Sequence, residues 1–262
     1  MDDRRIGIFD SGIGGTSIWG EIQELLPHES CIYLADSKNA PYGEKSEERI
    51  LELSIKNTEY LLNKDCKLIV VACNTATTNA ISYLRTNYHV PFIGIEPAIK
   101  PAAINTKSKI IGILATKGTL SSSLFHSTSK NHAAGITVIE QRGTGLVEMI
   151  ENGQLESTEL YLLLESYIKP MLDQGMDYLV LGCTHYPYLI PLLRKMLPEH
   201  VTVIDSGEAV ARQTKSVLEN NNLRTTATKI GSHQFYTNGD EEVLSKILKK
   251  SDAVYSVLSR DF

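Results

Sequence analysis

Residues 68–75 read Leu-Ile-Val-Val-Ala-Cys-Asn-Thr, and residues 179–185 read Leu-Val-Leu-Gly-Cys-Thr-His. Each is a short apolar run, a small residue, a cysteine, and then polar residues of the kind that open a helix. A run that stays apolar without alternating is a strand covered on both faces, as in a parallel sheet. Similar runs recur at 6–9, 31–35, 92–95, 110–115, 136–139 and 201–204. Helix-length amphipathic stretches lie between them, among them 46–62, 75–87, 157–174 and 188–197. Strand alternating with helix implies right-handed crossovers and a mostly parallel sheet, so the chain reads as an α/β protein.

Cys73 and Cys183 are too far apart in sequence to belong to one local motif. The repeated layout predicts two similar lobes instead, each a mostly parallel sheet flanked by helices, with the active site in the cleft between them. The first lobe takes 1–96 plus 207–262 and carries Asp10 and Cys73. The second takes 97–206 and carries Cys183 and His185. No Pro-, Gly- or Ser-rich linker separates the halves.

With 262 residues, 42% hydrophobic and 22% charged, the chain has the composition of an ordinary globular protein. A formal net charge of −5 argues against a broad basic surface, so no nucleic-acid partner is expected. No apolar run approaches the roughly 18 residues that cross a bilayer, and the opening residues lead straight into a strand. The expectation is a cytoplasmic protein without a membrane partner. The four cysteines, at 31, 66, 73 and 183, form no Cys-x-x-Cys pair, and no His-Glu-x-x-His stretch exists. Neither a disulfide framework nor a metal site is expected.

A lone cysteine is commonly a small core residue, and Cys31 and Cys66 read that way. Cys73 and Cys183 stand at the carboxyl ends of strands, the edge where open α/β sheets bind ligands. A helix starting at each would favour thiolate over thiol. Asn74, Thr75, Thr184 and His185 follow them, and such residues cap a helix or hold a carboxylate at its start. Phe9-Asp10-Ser11-Gly12-Ile13-Gly14-Gly15 is a glycine-rich turn after the first strand. It matches neither the phosphate-loop nor the dinucleotide pattern, though its backbone suits approach to a small anion such as a carboxylate. Asp10 is suited to taking up or positioning a proton. Asp36 with Pro41-Tyr42-Gly43 forms a second polar loop.

Two opposed thiols answer a specific chemical need. Inverting an α-carbon without an electron-sink cofactor means removing a proton from one face and returning one to the other. A thiolate on one side and a thiol on the other meets that demand, with their roles exchanged for the reverse direction.

Four segments together resemble glutamate racemases of the aspartate/glutamate racemase superfamily, in the family's order and through nearly the whole chain. They are Phe9–Gly15, Asp36 with Pro41-Tyr42-Gly43, Ala72-Cys73-Asn74-Thr75-Ala76-Thr77, and Gly182-Cys183-Thr184-His185-Tyr186-Pro187. The resemblance implies cofactor-free 1,1-proton transfer between L- and D-glutamate, supplying D-glutamate for peptidoglycan, by a protein that forms homodimers. Cys73 and Cys183 would be the acid/base pair, with Asp10 and His185 assisting on opposite sides. Asp10, Ser11, Tyr42, Gly43, Asn74, Thr75, Thr184 and His185 would hold substrate. Thr116 and Thr119, in Ala115-Thr116-Lys117-Gly118-Thr119, resemble a further segment near the site, and Glu151 the acidic residue beside the second cysteine. Where relatives often carry Cys-Pro, this chain reads Glu140-Gln141-Arg142-Gly143. The competing readings are an aspartate racemase, a one-cysteine decarboxylase of similar architecture, a non-catalytic carboxylate binder, and a hydrolase with Cys183 as nucleophile. The last leaves Cys73 unexplained.

Overall fold

The computed structural model describes residues 2–249 and 253–262. The chain runs β1 (Ile6–Asp10), α1 (Thr16–Leu25), β2 (Cys31–Ala35), α2 (Glu47–Asn63), β3 (Leu68–Val71), α3 (Asn74–Asn87) and β4 (Phe92–Gly94). It continues with α4 (Ile99–Asn105), β5 (Ile110–Ala115), α5 (Lys117–Leu120), α6 (Ser123–His132), β6 (Thr137–Arg142), α7 (Leu146–Glu151) and α8 (Thr158–Asp173). Then come β7 (Tyr178–Gly182), α9 (Ile190–Met196), β8 (Thr202–Ile204), α10 (Gly207–Asn220), β9 (Ser232–Thr237), α11 (Glu241–Leu248) and β10 (Val254–Ser259).

Two parallel sheets result, one in the order β10-β9-β2-β1-β3-β4 and the other β6-β5-β7-β8. The continuous apolar runs of β1, β2 and β3 are buried along their whole length, as strands covered on both faces must be. The edge strands β6 and β10 instead have no buried residue along their length. Helix starts follow capping chemistry: Ser46 accepts from the Arg49 N–H and Ser157 from the Leu160 N–H.

The chain leaves the first sheet after β4 and returns to it after β8, where α10 packs against α1. At that double crossing the Ser206 hydroxyl donates to the Glu96 carbonyl. One apolar cluster joins the lobes, taking in Ile13, Trp19 and Ile22 from the first and Leu114, Val147 and Leu181 from the second. The carboxyl ends of β1 and β3 face that of β7: Thr184, just past β7, donates to Asp10 at the end of β1. The expected helix over 188–197 is in fact a 3-10 turn, Tyr186–Leu189, followed by the short α9.

Candidate active site

The glycine-rich turn wraps around Asp10. The Asp10 carboxylate accepts from the N–H groups of Gly12 (3.1 Å) and Gly15 (3.2 Å) and from the Thr184 hydroxyl (3.1 Å). The Ile13 N–H donates to Glu151 Oε1 at 2.6 Å. These backbone donors, which the sequence suggested for a bound anion, are therefore occupied by the protein's own carboxylates. Glycine is needed here for room. A Cβ on Gly12 would stand 1.9 Å from Glu151 Oε1, and one on Gly14 would stand 2.3 Å from the His185 ring. Burial raises the Asp10 carboxyl to about 6, opposed by the positive charge of His185 and reinforced by the negative charge of Glu151.

Cys73 caps α3, its sulfur accepting from the Ala76 N–H at 3.4 Å and donating to Ser11 Oγ at 3.7 Å. The expectation that a helix start favours thiolate fails here. Burial pushes the thiol well above its ordinary range and Asp10 adds to that, outweighing the Ala76 N–H. Asn74 is buried with neither side-chain atom hydrogen-bonded. The Thr75 hydroxyl meets Thr116 Oγ1 across the lobes at 2.8 Å and Thr119 Oγ1 at 3.3 Å. Thr119 is fully buried and reaches the cleft only through these hydroxyls.

Cys183 is built differently. No α-helix starts at it: Thr184 and His185 lie in a turn before the 3-10 segment. Its partner is a ring, His185 Nδ1 at 3.7 Å, while His185 Nε2 meets Glu151 Oε1 at 2.5 Å. Burial alone would lower the imidazole's pKa, but its contacts with Cys183 and Glu151 hold it well above its ordinary value. Burial likewise works against the Glu151 charge, yet bonds from His185, Ile13 and Ser37 keep the carboxyl below its ordinary value. The two form a largely buried ion pair, with Ser37 Oγ donating to the other carboxylate oxygen at 2.8 Å.

Ser11, Tyr42, Gly43, Cys73, Asn74, Thr75, Thr116, Cys183, Thr184 and His185 line one cleft between the lobes. Asp10 and Glu151 stand behind this lining, bonded to Thr184 and His185. The free space inside is about 10 Å³, on the scale of a single water. Tyr42 is fixed by Asp36, whose Oδ2 accepts its hydroxyl at 2.5 Å, and by Asn57 Nδ2 at 3.0 Å. Asn238 and Asn39 donate to the other Asp36 oxygen. Asn57, Asn238 and Ser37 escaped the sequence reading. Asn57 lies within a helix and Asn238 follows β9, a strand of mixed polarity that gives no periodic signal. Among the described residues, no group of three or more His, Cys, Asp or Glu side chains is placed to hold a metal ion.

A family model described as Asp/Glu/Hydantoin racemase matches residues 17–214. The glutamate racemase of Stutzerimonas stutzeri is 46% identical over 244 residues, 93% of this chain and 92% of that protein. The glutamate racemase of Pseudomonas putida (strain F1) is 46% identical over 256 residues, 96% of each chain. Among solved structures, the Escherichia coli glutamate racemase, in complex with L-glutamate and the activator UDP-MurNAc-ala, superposes with a TM-score of 0.86 at 34% identity, covering 98% of each chain. That of Francisella tularensis with D-glutamate gives 0.83 at 28% identity, covering 99% of this chain and 98% of the other. Two parallel sheets, one cleft and two cysteines in that cleft therefore come with full-length likeness to amino-acid racemases, and the chain belongs to the Asp/Glu/Hydantoin racemase family, among the glutamate racemases.

Proposed function

We propose that the protein interconverts L- and D-glutamate by proton transfer between the two faces of Cα, using Cys73 and Cys183. The observation that carries this reading is a single cleft lined by one cysteine from each lobe, each backed by a different charged group. In one direction a thiolate takes the Cα proton and becomes a thiol, while the opposite thiol gives its proton to the other face and becomes the thiolate. The reverse direction exchanges the roles, so protons balance over each conversion. His185, whose contacts with Cys183 and Glu151 hold it well above its ordinary value, places an N–H against the Cys183 sulfur. Asp10, raised to about 6, is poised to exchange a proton near neutrality on the Cys73 side.

The rest of the lining suits a dicarboxylic amino acid. Asn74 offers an amide with no partner of its own, and an unpaired buried polar group is destabilising by about 1–3 kcal/mol until something binds it. Ser11, Thr75, Thr116 and Thr184 add hydroxyls. Tyr42 and Gly43 close the same wall. Glutamate is the substrate carried over from the relatives, two of which are solved with it. A cytoplasmic supply of D-glutamate for peptidoglycan is the matching role, and no helix among the described residues is long and apolar enough to cross a membrane.

Proton NMR of the protein with L-glutamate in deuterium oxide, with chiral analysis of the product, tests the reading. Loss of the Cα–H signal with accumulating D-glutamate is expected. Binding without exchange or D-isomer would replace the racemase with a carboxylate binder.

A further inference from the structure

The stretch Glu140-Gln141-Arg142-Gly143 ends at the mouth of the cleft. Arg142 is the last residue of β6 and pairs in register with Ala115, which precedes the cleft residue Thr116. Its backbone is held on both sides: the Gly143 N–H donates to the Ala115 carbonyl at 2.9 Å, and the Tyr186 hydroxyl donates to the Gly143 carbonyl at 3.2 Å. From that fixed base one guanidinium nitrogen, Nη2, reaches both oxygens of Glu44, at 2.6 and 2.8 Å.

Glu44 belongs to the opposite lobe. It ends the 3-10 turn Tyr42–Glu44, whose Tyr42 and Gly43 form one wall of the cleft. That turn lies hard against the second lobe, since a Cβ on Gly43 would stand 2.8 Å from the Thr116 Cβ. Lys117 and Glu148 line the same mouth. The space within, about 10 Å³, is far too small for an amino acid, whereas a single water needs roughly 10–15 Å³. Anything larger gains access only when the walls part. Arg142–Glu44 is a charged contact across that parting line, and both side chains are exposed enough for water to replace their partners, at 41% and 44%.

We propose that the Glu44–Arg142 ion pair is a latch across the cleft mouth, controlling how often the turn 42–44 lifts away from the second lobe to admit and release an amino acid. On the reading of the cleft given above, that amino acid is glutamate. An exposed pair of this kind shifts an equilibrium by about two- to five-fold, enough to tune exchange without holding the cleft shut. Neither residue lines the part of the cleft where the two cysteines meet, so the latch acts on access and not on the proton.

The test uses the full chain and the rate at which neutral iodoacetamide alkylates each cysteine, mapped by peptide mass spectrometry. Cys31 and Cys66 are buried in the core and report global opening. Arg142→Gln and Glu44→Gln are each expected to speed modification of Cys73 and Cys183 by about two- to five-fold at low salt, with Cys31 and Cys66 unchanged. Raising the ionic strength should do the same to the unaltered protein. The charge-swapped pair Glu44→Arg with Arg142→Glu should return the cleft thiols to slow modification. Rates equal to the unaltered protein in both single variants would overturn the latch, as would a charge-swapped protein no slower than the singles. Electrostatic tuning of the thiols would move the two single variants in opposite directions, which would also overturn it. Faster modification of the cleft thiols in a protein that fails to racemise glutamate would support the latch and remove the substrate reading instead.

Discussion

Cys73 and Cys183 face one cleft from opposite lobes, and their surroundings differ in kind. Cys73 caps a helix, donates to Ser11 Oγ, and has as its charged neighbour a carboxyl whose pKa is raised to about 6. Cys183 sits in a turn beside an imidazole that contacts with the cysteine itself and with a second carboxylate hold well above its ordinary value. Both thiols are buried, but one has a carboxyl as its charged neighbour and the other an imidazole. On the proposed two-thiol reading, the lesson is that a near-symmetric reaction does not need a symmetric site. It needs two groups on opposite faces, each with its own means of handling a proton.

The most direct way to break the comparison is to remove either sulfur. Cys73→Ser and Cys183→Ser are each expected to lose about 10²–10⁴-fold in turnover while keeping their fold, measured as D-glutamate formed from L-glutamate and by far-UV circular dichroism. Near-normal racemisation by either variant would end the two-thiol account.

Glu151→Gln removes the anion that distinguishes the Cys183 side. Breaking a buried ion pair is destabilising by up to about 3–5 kcal/mol, and a neutral imidazole is the route by which the site limits that loss. The pH dependence follows from the shifts. Glu151 lies below its ordinary 4.5 and His185 above its ordinary 6.5. The pair's contribution is therefore complete between those values. It is lost as pH falls through the depressed Glu151 value, and again as pH rises through the raised His185 value. Urea midpoints of the two proteins should differ most inside that window, and a gap independent of pH would refute the ion pair.

Asn74→Leu sharpens the contrast from the Cys73 side. Replacing an unpaired buried amide with an apolar group of similar shape is expected to stabilise the fold by about 1–3 kcal/mol, while raising KM for glutamate. A fall in melting temperature would show that the amide is already satisfied.

The smallest effect at neutral pH belongs to Asp10. Its carboxyl, ordinarily 3.8, is raised to about 6, so protonation is favoured by the folded state. The associated stability is full below 3.8 and lost as pH rises through about 6. If the ionised form assists Cys73, kcat/KM should fall about tenfold per pH unit on the acid side of that value. Asp10→Asn should flatten this limb and leave the limb set by His185 in place. An unchanged acid limb would assign it to another group.

Much of this arrangement was legible beforehand, for reasons that differ by element. The strands β1, β2, β3, β5 and β7 announce themselves because burial on both faces demands continuous apolar residues. The strands β9 and β10, with Ser, His and Gln among their residues, carry no such run, and pairing with neighbours places them in the sheet. Short helices such as α5 and α7 offer too few turns for a periodic signal. Among site residues, the cysteine motifs stood out because two strand ends shared a layout. Ser37, Asn57 and Asn238 did not, since an isolated polar residue looks the same whether it faces solvent or holds Asp36, Tyr42 or Glu151.

The sequence by itself determined the α/β alternation, the paired cysteines at strand ends and the chemistry open to them, because these depend on local pattern and residue type. Tertiary structure alone decided which groups charge that chemistry. Asp10 and Thr184 lie 174 residues apart, and Ile13 and Glu151 lie 138 apart. Their contacts, and the burial that raises Asp10 and the Cys73 thiol while His185 stays cationic, exist only once the two sheets face each other. Desolvation and Coulomb interaction depend on distance in space, and distance along the chain does not encode it.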